Sequence, residues 1–251
     1  MTNSLIGLKK SPSALIVLAA TGLLFVGAVI FGQHMVPDTM WQDDPSYAVT
    51  SVWSNLGGLY FGILLPILVA SCAALVMAPE HQRGNMQWLR SQPRGASLLL
   101  REKVAALGLI SVILGAIHIV VILTFGFWQG YSSIPQFGNL VVYAAATAFG
   151  VFAVGSFYMW VSTFLRGTAS TISAGIALTV TSMALAVFEQ VAVSSSTTIE
   201  SMLPTTQLIS TALVREAGTS TPVMVLLKVL IALVWSGVFI LLTRKRLVSA
   251  S

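Results

Sequence analysis

Six stretches of this chain run for about 20 residues or more with almost no charge, the length an α-helix needs to cross roughly 30 Å of hydrocarbon. They are Ala14 to Met35, Val52 to Met77, Val104 to Trp128, Leu140 to Leu165, Thr168 to Phe188 and Pro222 to Leu242. Because their apolar residues are continuous rather than alternating, a transmembrane β-barrel is excluded. The fold this predicts is an all-α membrane protein of six transmembrane helices, in one transmembrane domain spanning 1–251. Composition points the same way: 56% of residues are hydrophobic and 8% charged, against about 25% charged in soluble domains. The second stretch carries Gly57, Gly58, Gly62 and Pro66, which a membrane helix tolerates when its neighbours satisfy the freed backbone groups.

Charge sets the expected orientation, since short cytoplasmic loops are enriched in Lys and Arg. With the N-terminus inside, every one of the 13 basic residues except Arg215 and Lys228 falls in an inner segment or terminus. The acids divide the other way, with Asp38, Asp43, Asp44, Glu189, Glu200 and Glu216 outside and only Glu80 and Glu102 inside. Both termini are therefore expected in the cytoplasm. The net charge of +5 then reflects topology and contact with anionic lipid, and nucleic-acid binding is not expected. Lys9 and Lys10 precede the first apolar run as in a secretory signal, but the run is too long and lacks a small-x-small cleavage site, so it reads as a retained span. The single cysteine, Cys72, lies inside the second span and reads as a buried structural thiol.

The outer loops differ in kind. Val36 to Ser51 is acidic and aromatic, suiting an interfacial cap, and Gln129 to Asn139 is short and uncharged. The third, 189–221, has Pro204 at a first helical position, then Leu208, Ile209, Ala212 and Leu213 at helical spacing, then Gly218. It predicts one or two short helices at the outer membrane face, either dipping into it or lying on it as ordinary amphipathic surface helices.

Chemistry-bearing residues within the spans are few. Intramembrane ionisable groups mark functional sites, and the candidates are His118 near the middle of the third span, Glu189 at the outer end of the fifth and Lys228 near the outer end of the sixth. A proton-coupled carrier needs a carboxylate near the midplane, and the spans offer none there. Haem ligation by His118 lacks an intrachain partner at its depth, because His34 lies at a span end and His81 in a loop. A polar helix-packing contact suits it better. Glu189 and Lys228 sit at similar depth and could pair, or snorkel separately to the headgroups. The fifth span's Ser170, Thr171, Ser173, Thr179, Thr181 and Ser182 have no base to activate them and suit hydrogen bonding between helices. Gly58-x-x-x-Gly62 and Ser111-x-x-x-Gly115 permit close helix approach, within the subunit or at a dimer seam. No catalytic motif, metal spacing or phosphate-binding G-x-x-x-x-G-K-[ST] sequence is present. The chain reads as no enzyme, with no catalytic residues, metal or bound cofactor; any ATP-driven step belongs to another polypeptide.

One sizeable charged stretch interrupts the apolar pattern: residues 79–103, PEHQRGNMQWLRSQPRGASLLLREK. Gly84 predicts a break after the second span, 85–91 a short helix with Trp88 and Leu89 as an apolar knob beside Arg90, and 92–95 a tight turn. Ser97 to Lys103 then leads helically into the third span. Such a knob with flanking arginines fits a groove on a soluble partner; alternatively Trp88 sits in the membrane interface and the arginines meet lipid phosphates.

Glu80-x-x-x-Gly84, Trp88-Leu89, Gln92-Pro93-x-Gly95 and Lys103 together resemble the E-x-x-x-G-x-x-x-L-x-x-x-P-x-(R/G)…K pattern after the second span of ABC-2-type permeases. The similarity is closest to the permeases of bacterial lantibiotic-immunity and peptide-antibiotic export systems. Gly95 stands where many members carry Arg, and Arg94 lies one place earlier, so the basic contact is shifted. The resemblance implies a multi-pass protein of the bacterial cytoplasmic membrane. Its partners would be two copies of a separate ATP-binding subunit and a second permease, identical or related. ATP and Mg would be held by that ATPase, with coupling through Glu80, Arg83, Gly84, Trp88, Leu89, Arg90, Pro93 and Arg94. A hydrophobic or peptide substrate would be exported from membrane lipid. Two other classes are weighed against it: a carrier or channel without ATP coupling, and a membrane anchor or haem subunit of a larger complex.

Overall fold

The computed structural model describes residues 12–38, 51–52, 57–82, 95–128, 134–165, 167–192 and 222–249. Those residues form α1 (Pro12–His34), a π-helical segment (Gly57–Leu64) continuing directly into α2 (Leu65–Gln82), α3 (Gly95–Trp128), α4 (Ile134–Ser162), α5 (Thr168–Ala192) and α6 (Pro222–Ser249). No strand occurs among them. Five helices are long and apolar enough to cross a membrane, through Ile16–His34, Tyr60–Pro79, Ser97–Trp128, Ala145–Ser162 and Val225–Val248, and α5 adds a shorter apolar stretch, Thr168–Ala184. This is the all-α, six-helix membrane architecture expected from the sequence.

Local chemistry explains several boundaries. Pro12 and Pro222 open α1 and α6, where a missing N–H is harmless and the fixed φ is already helical. Pro66 explains the second span, which is not α-helical throughout. It cannot donate to the carbonyl one turn back, and its ring crowds the Gly62 carbonyl. Widening the preceding turn into a π-helix relieves that crowding, and Gly57, Gly58 and Gly62 keep the wide turn sterically cheap. Ahead of the third span, α3 begins at Gly95, two residues before the helical lead-in expected from Ser97, and its 34 residues extend roughly 50 Å. Its first turns therefore stand clear of a 30 Å hydrocarbon layer, and Arg101 and Glu102 are exposed there.

The helices divide into an inner pair and an outer ring. α4 packs against α2, α3, α5 and α6, while α2 also touches α1, α3 and α5. Accordingly 61% of the apolar stretch is buried in each inner helix, against 28% in α1 and 17% in α6. Leu226, Leu230, Leu233 and Val234 of α6 are 44–66% exposed in the chain, as expected of a helix face that hydrocarbon covers. Packing in lipid rewards close backbone approach, and the α2–α5 contact is the tightest example. A Cβ added at Gly175 would lie 2.5 Å from that of Ala70, so this crossing depends on glycine. Cys72 is buried in the core beside it, as its position in the second span suggests.

Candidate functional site

Three arrangements of polar or charged side chains stand out against this apolar scaffold. The first is an aromatic box around His118, closed by Phe25 of α1 and by Tyr60 and Phe61 of the π-helical segment. All four side chains are wholly buried. Ring centroids lie 4.4 Å apart for Phe25 and His118, 4.9 Å for Phe25 and Tyr60, and 5.6 Å for Phe61 and His118. Inside the box Tyr60 Oη and His118 Nε2 share a hydrogen bond of 2.9 Å, the phenol donating when Nε2 is unprotonated. The other ring nitrogen, Nδ1, is buried without a partner among the described residues. His118 lies ten residues from the end of α3 at Trp128, or roughly 15 Å along the axis, which is the depth of a bilayer midplane.

A buried donor or acceptor left unpaired costs about 1–3 kcal/mol, so the Tyr60 contact fixes how the π-helical segment meets α3. The histidine serves as the polar helix-packing contact its position suggests. No group of three His, Cys, Asp or Glu side chains that could hold a metal occurs among the described residues, and His34 is exposed at the end of α1. The box therefore offers hydrogen bonding and aromatic surface. Sequence reading singled out His118 and the Gly/Pro pattern of the second span but not Phe25, Tyr60 or Phe61. Aromatics inside an apolar run look alike until the packing selects three of them.

The second arrangement joins α4 to α5. Tyr158 Oη donates to the Gly175 carbonyl at 3.3 Å and lies 3.4 Å from Thr179 Oγ1, while Thr179 donates to the same carbonyl at 2.7 Å. The fifth span's hydroxyls were expected to bond between helices, yet most of the observed bonds turn inward. Thr171 donates to the Gly167 carbonyl, Thr181 to that of Ala177 and Ser182 to that of Leu178. A hydroxyl one turn above a carbonyl reaches it without a partner helix; where Tyr158 approaches, the network crosses to α4.

The third lies at the charged ends of α2 and α3. Lys103 Nζ donates to the Val76 carbonyl at 2.8 Å, linking the two helices that flank the segment 83–94. Glu80 belongs to the last turns of α2, though its side chain lies outside the described residues, as do Arg83, Gly84, Trp88, Leu89, Arg90, Pro93 and Arg94 with the expected short helix 85–91. The expected short helices of 193–221 and the side chain of Glu189 also lie outside them, so the suggested Glu189–Lys228 pairing is not among the described contacts. At the ends of α4 and α6, Arg246 sits over the Phe164 ring at 4.9 Å, below a seam in which Trp235 stacks on Phe239 at 5.4 Å.

Residues 6–181 match the model of a family described as ABC-2 family transporter protein. Among curated proteins none matches the chain in sequence.

Proposed function

The chain belongs to the ABC-2 transporter family and is a multi-pass membrane permease of the ABC type, and on that premise we propose that it exports a hydrophobic or amphipathic compound, driven by a separate ATPase. Membership implies a partner ATP-binding subunit in general. The finer reading assigns two copies of that subunit and a second permease, identical or related, in the bacterial cytoplasmic membrane with both termini inside. ATP and Mg are then held by the ATPase. Antimicrobial peptides of the lantibiotic class are the substrates that the likeness of the cytoplasmic loop favours.

The observation that carries this reading is the family match combined with a wall of helices almost free of charge. A compound drawn from lipid and released outside needs an apolar route, and a charged midplane site would trap or repel it. The described spans supply apolar surface, and their polar groups at Tyr60, His118, Tyr158 and Thr179 are buried in bonds between helices rather than presented on it. Energy enters through the loop after the second span, where Trp88 and Leu89 form the grip on the ATPase, flanked by Glu80, Arg83, Gly84, Arg90, Pro93 and Arg94.

Replacing Trp88 and Leu89 together by Ser tests the coupling. The variant is expected to insert normally, while the ATPase no longer co-purifies or its hydrolysis is no longer stimulated by the permease. Survival of both would remove these residues from the coupling site. Transport by the isolated chain in liposomes, without ATPase or nucleotide, would overturn ATP-driven export altogether.

A further inference from the structure

The amine of Lys103 sits where a lysine in a membrane protein ordinarily reaches outward. From Lys103 to Trp128 the helix α3 runs for roughly 37 Å, so the residue stands at the boundary of the hydrocarbon opposite Trp128. A flexible four-carbon stem at that depth extends its ammonium into the headgroups. Here Nζ instead turns across to α2 and donates to the Val76 carbonyl at 2.8 Å, with the side chain half-buried between the two helices. A charged donor makes a stronger bond than a neutral one, and a main-chain carbonyl cannot swing away as a side-chain acceptor can.

The point it grips also lies three residues from a proline inside α2. Pro79 lies inside the helix; having no N–H, it leaves the Leu75 carbonyl without its usual acceptor role, and its ring pushes that carbonyl aside. Val76 is the next residue, so Lys103 holds α2 immediately before the point at which the proline lets it bend. Both bonded residues lie only a few turns from the segment 83–94: Val76 six residues before the end of α2, Lys103 eight residues after the start of α3. Met77 and Leu100 are buried in the same core around the link.

We propose that Lys103 is a positioning residue for energy coupling, a strut that makes the two helices flanking segment 83–94 move as one body. Without it, a push on that segment bends α2 at Pro79 and is spent locally. With it, the same push reaches α2 and α3 together, and through α2 the inner pair of helices. This rests on the reading of segment 83–94 as the site where the ATPase docks.

Two measurements separate the strut from that reading. In the purified full chain in lipid nanodiscs, with Cys72 replaced by Ala, spin labels at Gln82→Cys and Ser97→Cys report the distance between the two helix ends. A single narrow distribution is expected, broadening at least twofold in Lys103→Met and staying narrow in Lys103→Arg. In the permease–ATPase complex, Lys103→Met is expected to keep the ATPase bound and its KM for ATP unchanged while kcat falls at least fivefold, with Lys103→Arg recovering to within twofold. If the first result holds but no ATPase co-purifies with the unmodified chain, the strut stands and the docking reading fails. If Lys103→Met leaves both width and kcat at their original values, or releases the ATPase, Lys103 is not a coupling strut. Should that variant fail to accumulate, Lys103→Gln, which lacks the reach and the charge, is judged by the same outcomes.

Discussion

Tyr60→Phe removes one oxygen from the centre of the membrane domain and leaves almost everything else in place. The ring keeps its neighbours, with Phe25 at 4.9 Å and Phe61 at 5.0 Å between centroids, so lost packing is small. What disappears is the 2.9 Å bond to His118 Nε2. Since Nδ1 already has no partner among the described residues, the imidazole is then buried with both nitrogens unpaired. A net hydrogen bond is worth about 1 kcal/mol and stranding a buried group about 1–3 kcal/mol, yet measured interhelical bonds in membranes average only about 0.6 and reach about 1.7. Complete burial of the ring places this site toward the upper end, so a loss of about 1–2 kcal/mol is expected. Equilibrium unfolding in mixed detergent micelles measures it. A cycle with His118→Phe then separates the bond from the ring, because the double variant strands no polar group. The double is expected to be less destabilised than the two singles summed, by about 1 kcal/mol. Additive singles, or a Tyr60→Phe change below about 0.3 kcal/mol, would refute the view that this bond fixes the π-helical segment against α3.

Other perturbations probe the remaining contacts. Gly175→Ala forces a methyl within 2.5 Å of the Ala70 Cβ, and overpacking of that kind costs about 1–3 kcal/mol; an unchanged unfolding midpoint would show that α2 and α5 part freely. Gly155→Ala meets Leu107 Cδ2 at 3.4 Å, a contact a leucine can relax, so its loss in the same assay should be clearly smaller than that of Gly175→Ala. Arg246→Ala removes an exposed cation above the Phe164 ring, and exposed pairs of this kind are worth about 0.5–1 kcal/mol; raising the salt concentration should shrink the difference between the two proteins. Absorption spectroscopy of the purified chain is expected to show no haem band, and a Soret peak lost in His118→Phe would revive the anchor-subunit alternative.

Much of the architecture was legible in advance because hydrocarbon leaves few options. A run of apolar residues long enough to cross it must be a helix, since backbone groups have no water to bond, and that logic gave six helices without knowledge of their contacts. It could not choose neighbours. Lipid is as apolar as leucine, so a membrane helix carries only a weak periodic signal for which face turns inward, and nothing in the run 104–128 says that His118 meets Tyr60. Sequence alone thus determined the class, the number of spans and the candidacy of His118, through residue types and run lengths that local physics interprets. The structure added that a π-helical turn precedes Pro66, that Phe25, Tyr60 and Phe61 box the histidine, that most of the α5 hydroxyls fold back on their own helix, and that Lys103 reaches across to Val76. The histidine box and the Lys103 link depend on where a second helix lies, a distance in space that no spacing along the chain encodes.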